Sequence, residues 1–482
     1  MTSAETRTEQ SEQKVSLPTL TAMVVGSMIG SGVFLLPRRF GTETGVLGAI
    51  IAWTIAGSGM LMLAFVFQRL AIRKPDLNAG IFTYAKAGFG DYVGFNSAIG
   101  YWASACAGNV SYWVLITTTL SAVVPAFGAG DTVLAVVVSA IGVWLFAALV
   151  MRGVRDAAVI NYIVTVAKVL PILVFIVIAI IAFEAGVFAD NFWGADGGYS
   201  FASIWDQATG TMLITVFVFL GIEGAAVYSR MARKREDVGR ATVFGFLGVL
   251  SVFAMVTLVS YGVLPQDELA GVSQPSMAAV LESIVGPWGA VFIKVGVIVS
   301  VLGAYLAWTL MAAEVLFIPA KSDDMPRFLA RTNRHDAPVA ALVMAAALTT
   351  LLLVALLFAA DALDFMLDLT AALSLIPYLL AAAYALKLTA TRETYEDGRS
   401  LVGDMSIAAI ATVYTLFLVY AAGMDKLLLS CILYAPAAAL YFRARRERGL
   451  RVFRPAEAVL FGVIVLGAII AVVSLSTGAI EI

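Results

Sequence analysis

Long apolar runs separated by short polar stretches fill the chain from residue 17 to residue 477. A helix that crosses about 30 Å of hydrocarbon needs about 20 mostly apolar residues. The runs that meet this are 17–40, 45–68, 92–125, 132–151, 159–183, 208–228, 241–264, 288–318, 339–360, 364–387, 405–422, 427–442 and 458–477. They predict about 12–13 transmembrane helices in an all-α polytopic membrane protein. The last run, Ala458–Thr477, fits either a thirteenth span or a helix lying against the bundle. The opening MTSAETRTEQSEQK is polar, with no apolar core and no small-residue cleavage site, so residues 1–16 read as a cytosolic tail rather than a signal peptide.

Composition narrows the class. The chain has 482 residues, 61% of them hydrophobic and 13% charged, with a mean hydropathy of +0.92. An ordinary soluble domain is about 25% charged, because its surface meets water. A soluble enzyme, a nucleic-acid binder and a disordered scaffold are thereby excluded. Cys106 and Cys431 both lie in apolar runs, so neither a disulfide framework nor a metal cluster is expected. No cofactor is called for. The net charge of −2 says little, but the placement of charge says more. With the N-terminus inside, the cytoplasmic segments take 26 of the 31 Lys and Arg residues, and the outer loops only Arg38, Arg39 and Lys426. That bias is the usual one for cytoplasmic loops. A multi-pass protein of the cell membrane with a cytoplasmic N-terminus is expected.

Two spans are interrupted. The first reads Gly26-Ser27-Met28-Ile29-Gly30-Ser31-Gly32, and the sixth reads Leu220-Gly221-Ile222-Glu223-Gly224. A membrane glycine most often serves close helix packing. Breaks at matching positions of the first and sixth spans point instead to a transporter's midplane site. An inverted-repeat reading follows, spans 1–5 over 17–186 against spans 6–10 over 208–390, with C-terminal spans 11–13 over 401–482. Half-helix N-termini at such breaks suit an anionic group such as a carboxylate.

At these residues a resemblance emerges. GSMIGSGVFLLP, PDLNAGIFTYAKAGFGDYVGFNSAIGYW and FLGIEGAAVYSRMARKREDVGRAT resemble the amino acid–polyamine–organocation (APC) superfamily, and within it the basic amino acid/polyamine antiporters. AYLAWTLMAAEVLFIPAKSDDMPRFLARTNRHDAPV and Pro377-Tyr378 extend the likeness through span 10. The tract VLESIVGPWGAVFIKVGVIVSVLGAYLAWTL is most similar to the arginine/ornithine antiporter and lysine permease branch. The resemblance implies the 5+5 inverted-repeat transporter fold and alternating access.

It also implies roles. Met28, Gly30, Ser31 and Gly32 match the motif for a substrate's α-amino and α-carboxyl groups, with Leu220 and Gly221 as the complementary backbone contact. Asn109 matches a position that hydrogen-bonds the substrate side chain, with Ser104 and Ala105 beside it. A buried amide needs a partner, so a helix–helix hydrogen bond is the competing role for Asn109. Trp308 resembles a pocket aromatic, where a cation–π contact is worth about 0.5–2 kcal/mol; ordinary packing is its alternative. Thr370 matches a polar pocket position, and Tyr101 and Tyr378 match gating positions. Arginine/agmatine exchangers of the family carry Trp where this chain has Phe217. Phe holds a cation less firmly than Trp, so this position does not argue for a pocket preference for arginine, and lysine or ornithine are equally compatible with it.

Ionisable residues in a bilayer are costly and by default functional. Glu223 matches a carboxylate involved in substrate and proton coupling. Lys168 matches a lysine that links span 5 to the broken first span, in place of a sodium ion; a purely structural tether is the alternative. Lys294 should face the bundle but lies near a span end, where snorkelling suffices. Asp361, Asp364 and Asp368 would attract a cation to the outer mouth. His335, in a basic loop, needs no special role.

The expected function is exchange of a cationic amino acid for a related product, arginine against ornithine first. A proton-coupled lysine or general amino acid symporter is the alternative. The chain is not expected to be an enzyme, since its one histidine lies outside the spans and no catalytic constellation can be assembled. No filter-like repeat argues for a channel. The expected partners are a small cationic amino acid and the lipid bilayer. Relatives dimerise, so a homodimer is a further expectation carried by the resemblance alone.

Overall fold

Lipid offers a backbone no acceptors, so each apolar run must pair its N–H and C=O groups within itself. Helix is the result throughout. The computed structural model describes residues 16–77, 80–153, 158–194, 198, 200–223, 235–359, 361–395 and 401–480, with the side chains of 158–167 and 235–236 outside that description. The predicted tail therefore lies almost wholly outside the described residues, among which there is no strand.

The first run divides into α1 (Leu17–Met28) and α2 (Leu36–Glu43), joined through a 3-10 turn at Gly32–Leu35 and bent by 50°. Next come α3 (Val46–Arg73), a short α4 (Ile81–Phe89), α5 (Asp91–Leu120), α6 (Val133–Met151), α7 (Ala158–Ile181) and α8 (Ala185–Asp190). The sixth run is α9 (Phe201–Gly210) and α10 (Met212–Phe219), after which the chain turns through Leu220–Glu223. Beyond it lie α11 (Arg235–Ser260), α12 (Gln266–Gly271), α13 (Ser276–Val285), α14 (Pro287–Lys321), α15 (Val339–Ala355) and α16 (Ala362–Thr391). The chain ends in α17 (Leu401–Ala421), α18 (Gly423–Arg446) and α19 (Pro455–Thr477).

Among the described residues, nine helices are long and apolar enough to cross a membrane, and the bent pair makes a tenth. The other three predicted spans fall on α5, α7 and the broken sixth run. α5 has 30 residues but carries Gly, Ser, Asn and Thr along its length, because protein rather than lipid surrounds it. It packs against α14, α15, α16 and α4, with nearly every side chain buried. α19 is the opposite case. It packs on α18, where Gly467 lets Cys431 approach, and turns Val459, Val463, Leu466 and Val473 outward.

The loops sort into two ends. At one end the basic loops meet: Arg73 pairs with Asp404 at 2.8 Å, Lys86 with Asp324, and Arg445 with Asp91 at 3.0 Å. At the other end Asn191 Nδ2 donates to the Tyr261 carbonyl at 2.7 Å, and Thr44 Oγ1 donates to Gln207 Oε1 at 3.0 Å. The segments grouped by charge in the sequence are thus grouped in space.

Candidate functional site

Two glycines set the centre of the molecule. α1 ends at Met28, where Ile29 turns extended (ψ 101°) and its N–H closes the last bond on the Val25 carbonyl at 3.0 Å. After that break the chain restarts at Gly32. A Cβ on Gly32 would stand 2.5 Å from Val218 Cγ1 and 3.0 Å from the Phe217 ring, so only glycine allows α10 this close. On the partner segment Gly221 has φ +100°, a left-handed conformation that a side chain resists. A Cβ there would also collide with the Ser27 carbonyl. Each broken helix thus seats a glycine against the other.

Beside this clasp lies a narrow pocket that is partly open to solvent. Ser27, Met28, Gly30, Ser31, Gly32 and Val33 line it from the first break, and Phe217, Val218 and Leu220 from the second. α5 contributes Ser104, Gly108 and Tyr112, α14 contributes Trp308, and α16 contributes Thr370. Three of its hydroxyls are already committed: Ser27 Oγ donates to the Val24 carbonyl at 2.8 Å, Ser104 Oγ to the Thr370 carbonyl at 2.7 Å, and Thr370 Oγ1 to the Met366 carbonyl at 2.6 Å. Ser31 Oγ is buried and has no partner among the described residues. An unsatisfied buried hydroxyl costs about 1–3 kcal/mol, which a bound polar group would recover.

Toward the basic loops the cavity gives way to Glu223. Its carboxylate is buried at 8% exposure and accepts from the hydroxyl of Tyr101 on α5, from the hydroxyl of Tyr378 on α16 at 2.8 Å, and from the Gly221 N–H at 3.2 Å. Tyr101 lies three residues before Ser104 and Tyr378 eight after Thr370, which places both on that side of the cavity. Phe67 of α3 backs Tyr378, edge to face at 5.6 Å. Two helices and a break therefore converge on one carboxylate, with a third helix behind.

At the other end α2 reaches α16 through charge. Arg39 Nη1 lies 3.3 Å from Asp364, and Arg39 Nη2 donates to Asp368 at 2.6 Å. Arg38 pairs with Asp361 at 3.1 Å.

Of the residues singled out in the sequence, Met28, Gly30, Ser31, Gly32, Ser104, Phe217, Leu220, Trp308 and Thr370 line the cavity. Gly221 shapes it without facing it. Ala105 and Asn109 are buried elsewhere on α5, about 100° and 140° round the helix from Ser104. Asn109 Oδ1 has no partner among the described residues. Lys168 is half-buried on α7, which packs against α11, α13 and α14, and is not on the cavity wall. Tyr112 was missed, although Ser104, Gly108 and Tyr112 recur every four residues, the spacing of one helix face.

The model of the amino acid permease family matches residues 15–426, leaving most of α18 and all of α19 beyond it. An arginine/ornithine antiporter of Pseudomonas aeruginosa is 47% identical over 98% of this chain and 99% of its own length. A protein of Escherichia coli called a putative arginine/ornithine antiporter is 40% identical, over 95% of this chain and 98% of its own. An L-lysine transport protein of Corynebacterium glutamicum is 39% identical, over 97% and 96%.

Proposed function

The chain belongs to the amino acid permease family, and on that premise we propose that it exchanges a cationic amino acid for a related product across the plasma membrane, arginine against ornithine. It is a transporter and not an enzyme. The observation that carries the reading is the cavity walled by both broken helices, with the Ser31 hydroxyl unpartnered among the described residues and a carboxylate clasped by two phenols beyond. The names of relatives that match nearly the whole chain support the same substrates.

The substrate's α-carboxylate takes the Ser31 hydroxyl and the first N–H groups after the break, which have no intrahelical acceptor. Its ammonium takes the open carbonyls near Met28. The side-chain cation lies among Trp308, Phe217 and Tyr112, where aromatic faces attract it. Asn109, Ala105 and Gly221 act from behind the wall, by holding α5 and α10 in place. Glu223 with Tyr101 and Tyr378 closes the path to the basic loops, which face the cytoplasm, and carries the coupled proton. Lys168 ties span 5 into the bundle where a transporter driven by sodium would hold an ion. The repeats run 17–186 and 208–390, with 401–482 appended.

Exchange suits a carrier that closes only when occupied. Purified protein in vesicles loaded with ornithine should accumulate labelled arginine, while empty vesicles take up little. Phe217, in place of the stronger cation-binding Trp, and the likeness to an L-lysine transport protein favour a second reading, proton-coupled lysine uptake. Equal uptake into empty vesicles under an inward proton gradient would establish that second reading and end the first.

A further inference from the structure

Where α2 meets the start of α16, four carboxylates gather round two guanidiniums: Glu43, Asp361, Asp364 and Asp368 round Arg38 and Arg39. Arg38 is half-buried and Asp361 exposed, and the two pair at the rim. Arg39 is different. It is only 8% exposed, and its two terminal nitrogens are split between Asp364 and Asp368. A guanidinium and a carboxylate prefer a parallel, two-pronged fit to one another. Here that fit is missing: Arg39 Nε and Asp364 Oδ1 are both buried with no partner among the described residues. The arginine sits in a cradle of two carboxylates that it fills incompletely.

The cradle is built on the same two segments that help wall the cavity, and its own residues do not line it. Asp368 lies two residues from Thr370, and Arg39 lies seven residues beyond Gly32 on the segment that the first break releases. Any movement of α2 about that break withdraws Arg39. Two partly buried carboxylates would then be left without a counter-charge, an arrangement that is costly unless a cation replaces the one removed. The replacement that fits is another guanidinium or ammonium.

We propose that Asp364 and Asp368 form an outer subsite for the cationic group of the substrate, and that Arg39 is its built-in surrogate, occupying the subsite whenever α2 is closed. The proposal rests on the reading of the chain as a carrier of cationic amino acids. Arrival of substrate and departure of Arg39 are one exchange of like for like, so α2 opens at little electrostatic cost only when a cation is present. Neutral amino acids cannot make that exchange.

The test is labelled arginine uptake into ornithine-loaded vesicles, with the half-saturation concentration and the maximal rate read separately. Asp368→Asn should raise the half-saturation concentration about fivefold and flatten its dependence on salt. Arg39→Gln removes the competitor, and should lower half-saturation about twofold while the maximal rate falls, since nothing recloses α2. Arg39→Lys should restore the maximal rate in part. A mere staple between α2 and α16 would weaken both variants alike, so a raised half-saturation in Arg39→Gln, or an unchanged one in Asp368→Asn, overturns the subsite. Thermal unfolding of each variant in detergent separates lost transport from lost fold. Absence of any cationic exchange by the unaltered protein would overturn the transport reading itself, and the subsite with it.

Discussion

Glu223 offers two carboxylate oxygens to three donors, the Tyr101 and Tyr378 hydroxyls and the Gly221 N–H. Those donors fit a carboxylate. A proton on Glu223 turns one acceptor into a donor, so a phenol must release or turn, which in the proposed function loosens the closed path. Glu223→Gln mimics that state permanently. Exchange should fall at least about tenfold and lose its variation between about pH 5 and pH 8, whereas Tyr378→Phe should change the rate and keep the pH profile. A wild-type profile in Glu223→Gln would remove the carboxylate from the coupling. Glu223 was legible in the sequence because a carboxylate in an apolar run is conspicuous. Its two phenols were legible only through resemblance, since nothing local tells which of 16 tyrosines will face it. Tyr112 had a local signal, the fourfold spacing with Ser104 and Gly108, which the apolar surroundings hide.

At the scale of elements, the breaks were readable and the fastenings were not. Three glycines in seven residues announce a weak helix. That Gly32 must be bare because Val218 presses on it, or Gly221 because of Ser27, depends on chain more than 180 residues away. The same holds for α17. Its Asp404 carboxylate is almost fully buried and takes Arg73 Nε at 3.0 Å, Arg73 Nη2 at 2.8 Å, Arg69 Nε at 3.2 Å and the Tyr395 hydroxyl at 3.0 Å. This cluster fastens α17 and the end of α16 to α3. Removing the shared anion leaves arginines facing one another in a partly desolvated site. Asp404→Ala should therefore destabilise the detergent-solubilised protein by about 3 kcal/mol, read as a lowered midpoint of thermal unfolding. An unchanged midpoint would make the cluster ornamental.

For the whole molecule, charge placement carried the most information. The basic segments picked out along the sequence gather at one end, and the ion pairs there join loops from the first helices to the last. Sidedness then becomes a measurement. A cysteine at exposed Ala126, between α5 and α6, should react in intact cells with a maleimide that cannot cross membranes. One at exposed Arg331, between α14 and α15, should react only after permeabilisation. The reverse pattern would invert the proposed orientation. Full enclosure of α5 was not legible, because a helix wrapped by neighbours and one bathed in lipid differ little in apolar content. α19 was placed by its length and composition, and its bareness is visible only in three dimensions.

The pairs between Arg38 or Arg39 and α16 join residues 323 and 329 positions apart. Synthesis runs from the N-terminus, so the first span is made long before its acidic partners exist. α2 must wait, its arginines uncompensated, while the next eight spans are inserted. The fastening is assembled late, and a chain stalled before residue 361 would carry every residue of the first break without the ion pairs that hold α2 to α16.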